Sequence, residues 1–227
     1  MSRATSAAPK PKTVAGAPAG PQTLADLWEQ LGRVPLERIR LHPAPGTATE
    51  DDVVRIDEHE NRLCELVDGT LVEKPMGAEE SNVAWVIGSF IFAYLVQNNL
   101  GTCLGADGFL RISTGLVRAP DLSFISYAKL PNRKLPRKKV PDLIPDLAIE
   151  ILSESNTPAE IQRKLGEYFD AGVRLAWVID PRKRTARVHK SARRSTLVRE
   201  HQSLDGGEVL PGFAVPLAEL FRNLAAE

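Results

Sequence analysis

PDLAIEILSESNT, residues 145–157, is the stretch whose reading decides the fold. Leu147 to Leu152 is apolar and β-prone and reads as a strand made for burial, yet acids sit at Asp146 and Glu150. A buried charge is costly unless it is paired or bound to a metal. Side chains on a strand alternate faces, so Asp146, Ala148, Glu150 and Leu152 share one face. The two acids are four residues apart, roughly 13 Å at a rise of ~3.3 Å per residue. Carboxylates sharing a Mg²⁺ must nearly touch, because the ion holds oxygens at about 2.0–2.1 Å. One straight strand cannot bring these two together. Asp146 is therefore expected to satisfy turn amides at the start of the strand, and any metal partner of Glu150 must come from another strand.

Asp121 is that partner in the sequence. It follows a proline and precedes an apolar strand, Leu122 to Ile125, in APDLSFIS. Neighbouring strands lie ~4.8 Å apart, close enough for two carboxylates to converge on one ion.

Downstream, Thr157-Pro158-Ala159-Glu160 carries the signature of a capping box with proline at the first helical position. This gives Glu160 a structural role. The helix is expected to run to Ala171, with Gly172 as its stop. At about 100° per residue, Ile161, Leu165, Tyr168 and Phe169 form its apolar face. Lys164 falls at the edge of that face, while Arg163, Glu167 and Asp170 are expected to point to solvent. A cation so placed can stabilise charge developing on a phosphate. VRLAWVID (173–180) and RTARVHK (184–190) read as strands joined by a Pro181-Arg182-Lys183 turn, and the tail ends in a short apolar helix.

Upstream, LCELVDGTLVEK (63–74) is a hairpin signal, with Asp68-Gly69 suited to a type I′ turn. A helix is expected from Glu79 to about Asn98, with Gly101 near its C-cap. Its segment VAWVIGSFIFAYLV (83–96) is too short to span a bilayer comfortably and reads as a buried helix. GADGFLRIST and VRAPDLSFIS read as the next two strands, and Ala128–Pro141 as a loop. That loop carries Lys129, Arg133, Lys134, Arg137, Lys138 and Lys139 and no acid, so it could hold phosphates. Residues 33–60 receive no element. Leu24–Leu31 reads as a short amphipathic helix, and residues 1–22 as a disordered arm by composition. The order of hairpin, helix, strands, helix and strands predicts an α/β fold, a mixed β-sheet core flanked by helices.

Formal net charge is zero, so contact with a polyanion must come from a local patch. Two cysteines and four scattered histidines point away from a disulfide framework and a zinc site, and a cytoplasmic setting with no membrane segment is the simplest reading. No G-x-S-x-G, phosphate loop or dinucleotide fingerprint is present.

ELVDGTLVEKP, PDLSFIS, PDLAIEILSESNT and KLGEYFDAGVRLAWVIDPRKRTARVH, in that order, resemble the Uma-two family of the PD-(D/E)XK nuclease superfamily. The resemblance covers about Glu60 to the C-terminus. Composition and resemblance together divide the chain into 1–22 (arm), 23–59 (extension with a short helix) and 60–227 (nuclease-like), and the resemblance implies a restriction-endonuclease-like core. It also implies Mg²⁺- or Mn²⁺-dependent cleavage of nucleic acid, with DNA as the expected substrate. Asp121 and Glu150 would match the family's metal acids. Leu152 stands where the superfamily has lysine, and Lys164 is the matching cation on the following helix. Glu65, in the hairpin motif, is a further active-site candidate with a structural role as its rival. Glu79 and Glu80 read as first-turn partners of a helix dipole. Lys134, Arg137, Lys138 and Lys139 are the nucleic-acid-binding candidates. A homodimer is expected, because cutting both strands favours two sites. The first rival is a nuclease-fold module that binds nucleic acid or protein without cleaving. The second is a glycosidase-like hydrolase with paired carboxylates, for which no aromatic sugar platform is evident.

Overall fold

The computed structural model describes residues 20–75 and 77–225. The expected disordered arm lies outside the described residues except for Gly20–Gln22. Helix α1 (Leu24–Gln30) starts on a Thr23–Asp26 capping box. Helix α2 (Glu50–Glu60) starts on a second box, Thr49–Asp52, and ends on Asn61 in the left-handed region. It occupies the stretch to which the sequence assigned no element; its boundary signals are local, but its 11 residues are strongly polar.

The hairpin forms as expected from β1 (Cys64–Val67) and β2 (Thr70–Glu73). Asp68 and Gly69 both have positive φ, as a type I′ turn requires. Gly69 is needed twice over, because a Cβ there would lie 2.6 Å from the Gly46 backbone.

Helix α3 (Ala78–Asn98) is terminated by Asn99 in the left-handed region, not by Gly101. Gly101 instead opens β3 (Gly101–Leu104), which pairs with β6 (Leu122–Ser126) after β4 (Leu110–Ser113) and β5 (Leu116–Arg118). The two strands expected between residues 105 and 126 are thus divided among β4, β5 and β6. Pro120 explains the break between the last two: it offers no N–H to a ladder, and the chain changes sheets there.

Next come β7 (Leu147–Ile151), α4 (Pro158–Ala171), β8 (Leu175–Asp180), β9 (Thr185–Ser191) and β10 (Arg194–Arg199). The chain closes with β11 (Ser203–Asp205), β12 (Ala214–Pro216) and α5 (Leu217–Leu220). The larger sheet has the order β10-β9-β8-β7-β6-β3, and the smaller β2-β1-β5-β4. β7 and β8 run parallel, joined by α4, and the other pairs of the larger sheet are antiparallel. The α/β mixed-sheet architecture is confirmed.

Alternation on β7 sorts the core. Leu147, Ile149 and Ile151 pack with Leu122, Phe124, Trp177 and Ile179 against the Val83, Ile87, Ile91 and Leu95 stripe of α3. The opposite face meets α4: Leu165 packs on Ala176 and Val178, and Tyr168 joins Ala148 in a separate cluster. Only one stripe of α3 is buried, which corrects the expectation of a buried helix. Trp85 is 76% exposed and Phe92 68%. The long apolar run concealed a one-sided burial that depends on what the sheet covers.

Residues 24–39 dock on the start of α4. The Arg38 guanidinium holds the Glu160 carboxylate at 2.7 and 3.0 Å, and the Thr157 hydroxyl donates to Gly32 O at 2.5 Å. Glu160 therefore forms half of the expected capping box: its N–H donates to Thr157 Oγ1, but its side chain turns to Arg38. A buried guanidinium demands a carboxylate more strongly than a helix end does.

Candidate active site

Strand registers assemble the site. β1 pairs with β5 so that Leu66 faces Val117, which sets Glu65 across from Arg118 one step further on. The chain then crosses through Ala119 and Pro120 into β6. There Leu122 faces Ile149, so Asp121 comes across from Glu150. The connection at Pro120 thus carries Arg118 on one sheet and Asp121 on the other, and links the hairpin acid to the β7 acid.

Glu150 is 6% exposed and Lys164 2%. Lys164 Nζ donates to Glu150 Oε2 at 3.0 Å and stands 3.2 Å from Glu65 Oε1. The Tyr168 hydroxyl donates to Glu150 Oε1. These contacts place Lys164 in the interior, beyond the edge position expected from the helix alone, because two buried carboxylates draw its ammonium inward. Glu65 Oε2 accepts from Arg118 at 2.7 Å and Oε1 from the Ala119 N–H at 3.2 Å. Arg118 also donates through Nε to Glu167 at 2.8 Å. Glu167 and Arg163 are half-buried and paired at 2.7 Å, which corrects their expected solvent orientation; Asp170 is exposed.

Asp121 Oδ2 accepts the Ile151 N–H at 2.6 Å, and Oδ1 lies 3.0 Å from Lys74 Nζ. Lys74 also donates to Ala119 O at 2.6 Å and Ala106 O at 3.2 Å. Asp121 and Lys74 line an open cleft of about 680 Å³ that runs beside Gly77, Glu80 and Trp85 of the α3 region. Asp146 is separate from this cluster, at the other end of β7. It accepts the Ser126 N–H at 2.9 Å and pairs with Lys129 at 3.1 Å, as a residue at the start of a strand should.

Burial alone would raise the Glu65 carboxyl, but Lys164, Arg118 and Lys74 outweigh it and hold the group at about 2. Glu150 is raised: burial leads, Asp121 and Glu65 add to it, and Lys164 only partly offsets them. Lys164 is held firmly protonated because Glu150 and Glu65 overcome its burial. Burial followed by the same two carboxylates pushes the Tyr168 hydroxyl well up, so it remains a donor.

The inner site opposes Glu65, Asp121 and Glu150 with Lys74, Lys164 and Arg118. The all-oxygen donors suit a hard divalent cation such as Mg²⁺ or Mn²⁺. Among the described residues, however, no three His, Cys, Asp or Glu side chains converge as a ready metal cage. The ammonium groups of Lys74 and Lys164 hold the acids instead, so the donor chemistry fits and the carboxylates must turn to meet an ion.

Lys134, Arg137 and Lys138 are exposed and make no ion pair among the described residues. Lys139 pairs with Glu58 at 3.3 Å. Arg133 stacks on Tyr127 and bonds Asn99. Glu79 and Glu80 lie in the first turn of α3, as expected.

Sequence reasoning missed Lys74, Arg118 and Tyr168. Lys74 closes the hairpin motif, Tyr168 lies one turn after Lys164, and Arg118 is visible only through strand register.

A family model described as "Putative restriction endonuclease" matches residues 50–218. The chain is similar to the crystal structure of "a putative nuclease belonging to DUF820 from Anabaena variabilis". The TM-score is 0.63 at 18% identity, over 70% of this chain and 90% of that one. A search of curated proteins returned no match.

Proposed function

Because the chain belongs to the Uma2 family, described as "Putative restriction endonuclease", we propose that it is a metal-dependent endonuclease hydrolysing phosphodiester bonds of DNA. One observation carries the reading: Asp121 and Glu150 stand across from one another on adjacent strands, with Lys164 3.0 Å from Glu150. Asp121 and Glu150 would hold Mg²⁺ or Mn²⁺. The ion would supply Lewis-acid activation of water and neutralise charge on the phosphate.

The protein's own groups do the rest. The Ile151 N–H fixes one oxygen of Asp121, and the Tyr168 hydroxyl fixes one oxygen of Glu150. Lys164 keeps its proton and presents a positive charge beside the acids, where charge accumulates on the phosphate. Glu65 and Arg118 position Lys164 from behind. The cleft lined by Asp121 and Lys74 is the proposed path to these groups, and the exposed Lys134, Arg137, Lys138 and Lys139 the proposed outer contacts to the duplex.

The working form is proposed to be a homodimer, since cleaving both strands takes two centres. The proposed setting is the reducing cytoplasm, supported by Cys64 and Cys103 being free thiols. No described helix is long and apolar enough to cross a membrane.

Plasmid nicking with and without Mg²⁺ tests the activity. Wild type should nick only with the ion, and Glu150→Gln should lose the activity. Equal nicking by both proteins would remove Glu150 from the mechanism. A second reading, a module that binds nucleic acid or protein without cutting, is favoured by one observation. Lys74 already occupies Asp121, and Leu152 leaves the usual lysine position empty. It predicts duplex binding indifferent to Mg²⁺ and no nicking under any metal.

A further inference from the structure

The pair β7 and β8 runs parallel, and α4 crosses between them. Open α/β sheets bind ligands in the crevice beyond the carboxyl ends of such strands. A cavity of about 460 Å³ lies there. Leu152 and Ser153 border it beyond β7, Asp180 and Arg182 at the end of β8, and Arg187 and His189 on β9. Leu152, which borders it, follows Glu150 by two residues on the same face.

Register puts Arg187 opposite Val178 and His189 opposite Ala176, on the face that α4 covers. His189 is 7% exposed, and its Nδ1 has no hydrogen-bond partner. An unsatisfied buried nitrogen is costly, and a ligand bearing oxygens removes that cost. Arg187 makes no ion pair among the described residues, and its Nη1 donates only to Ser195 Oγ at 3.3 Å. Two carboxylates also line the cavity, but both are engaged. Glu154 pairs with Arg182 at 3.5 Å, and Asp180 with Lys183 at 3.1 Å and with the Lys183 N–H at 3.0 Å. The Glu154–Arg182 pair is exposed and exchanges partners at little cost. The positive end of the 14-residue helix α4 faces the same space through Thr157 and Pro158.

We propose that this cavity is a phosphate subsite. It would take a backbone phosphate of the nucleic-acid strand, next to the phosphate that meets Asp121 and Glu150. Arg187 supplies the charge-assisted donors, and His189 the buried nitrogen. The identity of the phosphate rests on the nuclease reading; the cavity and its unsatisfied groups do not.

The test uses the full chain without divalent metal. Anisotropy of a short fluorescent DNA duplex is measured for wild type, Arg187→Gln, His189→Gln and Lys190→Gln, the last lying on the other face of β9. Arg187→Gln should weaken binding about tenfold and reduce the log–log salt slope by about one. His189→Gln should weaken it less, and Lys190→Gln should match wild type. In parallel, inorganic phosphate should shift the His189 imidazole resonances, and the duplex should displace it. Wild-type affinity and slope in Arg187→Gln would overturn the proposal, as would absence of duplex binding by the wild type. Phosphate that moves His189 without competing with duplex would also overturn it, assigning the cavity to a free phosphate. Normal duplex binding without any nicking would remove the nuclease reading and leave the subsite standing.

Discussion

Replacing Lys164 with methionine should expose the electrostatics of the whole cluster. The side chain is 2% exposed and lies 3.0 Å from Glu150 and 3.2 Å from Glu65. Methionine fills similar space but removes the counter-charge from two buried carboxylates. Removing one partner of a buried pair costs about 3–5 kcal/mol, and about 2–4 °C of Tm accompany each kcal/mol in a chain of this size. The variant should melt about 6–20 °C lower at pH 7.

The pH dependence has a defined sign. Glu65 is held at about 2, below its ordinary 4.5. At about 1.36 kcal/mol per unit, that pairing contributes on the order of 3 kcal/mol above pH 4.5, lost as pH falls through 2. Without Lys164 the Glu65 carboxyl rises, so the deficit of the variant should be largest near neutrality and narrow between pH 5 and 3. The Lys164 contribution in the wild type runs the other way: it is present below its ordinary 10.5 and lost only as pH rises through its higher folded value. Mg²⁺ should stabilise the variant more than the wild type, because the ion replaces the missing charge. Thermal denaturation from pH 3 to 8, with and without Mg²⁺, measures all three effects. A loss below about 1 kcal/mol, or a deficit that widens as pH falls, would refute Lys164 as the counter-charge.

Asp121→Asn keeps an acceptor for the Ile151 N–H but removes the charge facing Lys74. Any Mg²⁺-dependent nicking should fall by on the order of 10²-fold or more, Tm should fall as well because the buried Lys74 loses its counter-charge, and retained nicking would exclude Asp121 as a metal ligand. Gly32 has φ +80°, and a Cβ there would lie 2.7 Å from the Glu160 backbone. Gly32→Ala should therefore cost more than about 1 kcal/mol in urea denaturation, and an unchanged midpoint would mean that residues 24–39 do not hold this docking in solution. Sedimentation of the full chain should give twice the 24.9 kDa chain mass; a monomer at working concentrations would remove the proposed dimer.

Short-range chemistry was enough to place the hairpin, the α4 helix and the β7 strand. Asp68-Gly69 demands positive φ, Thr157-Pro158 starts a helix and Gly172 stops it, and each of these signals acts within a few residues. Strand alternation also separated Asp146 from Glu150, a distinction the contacts of Asp146 with Ser126 and Lys129 agree with. Even the cross-strand meeting of Asp121 and Glu150 was legible, because one straight strand cannot bring Asp146 to Glu150 and a partner had to come from a neighbouring strand. The rest was set by partners far away in the chain. Lys74 and Asp121 are 47 residues apart by number and touch at 3.0 Å only because Pro120 sends the chain from one sheet to the other. Glu160 abandoned its half of the capping box because Arg38 reached it from 122 residues away. Lys164 left the helix edge because Glu65 and Glu150, on two different sheets, both draw on its charge. Periodicity tells which way a side chain points from its own element; it carries no information on which charged group waits there, and in a low-dielectric interior that group decides the outcome.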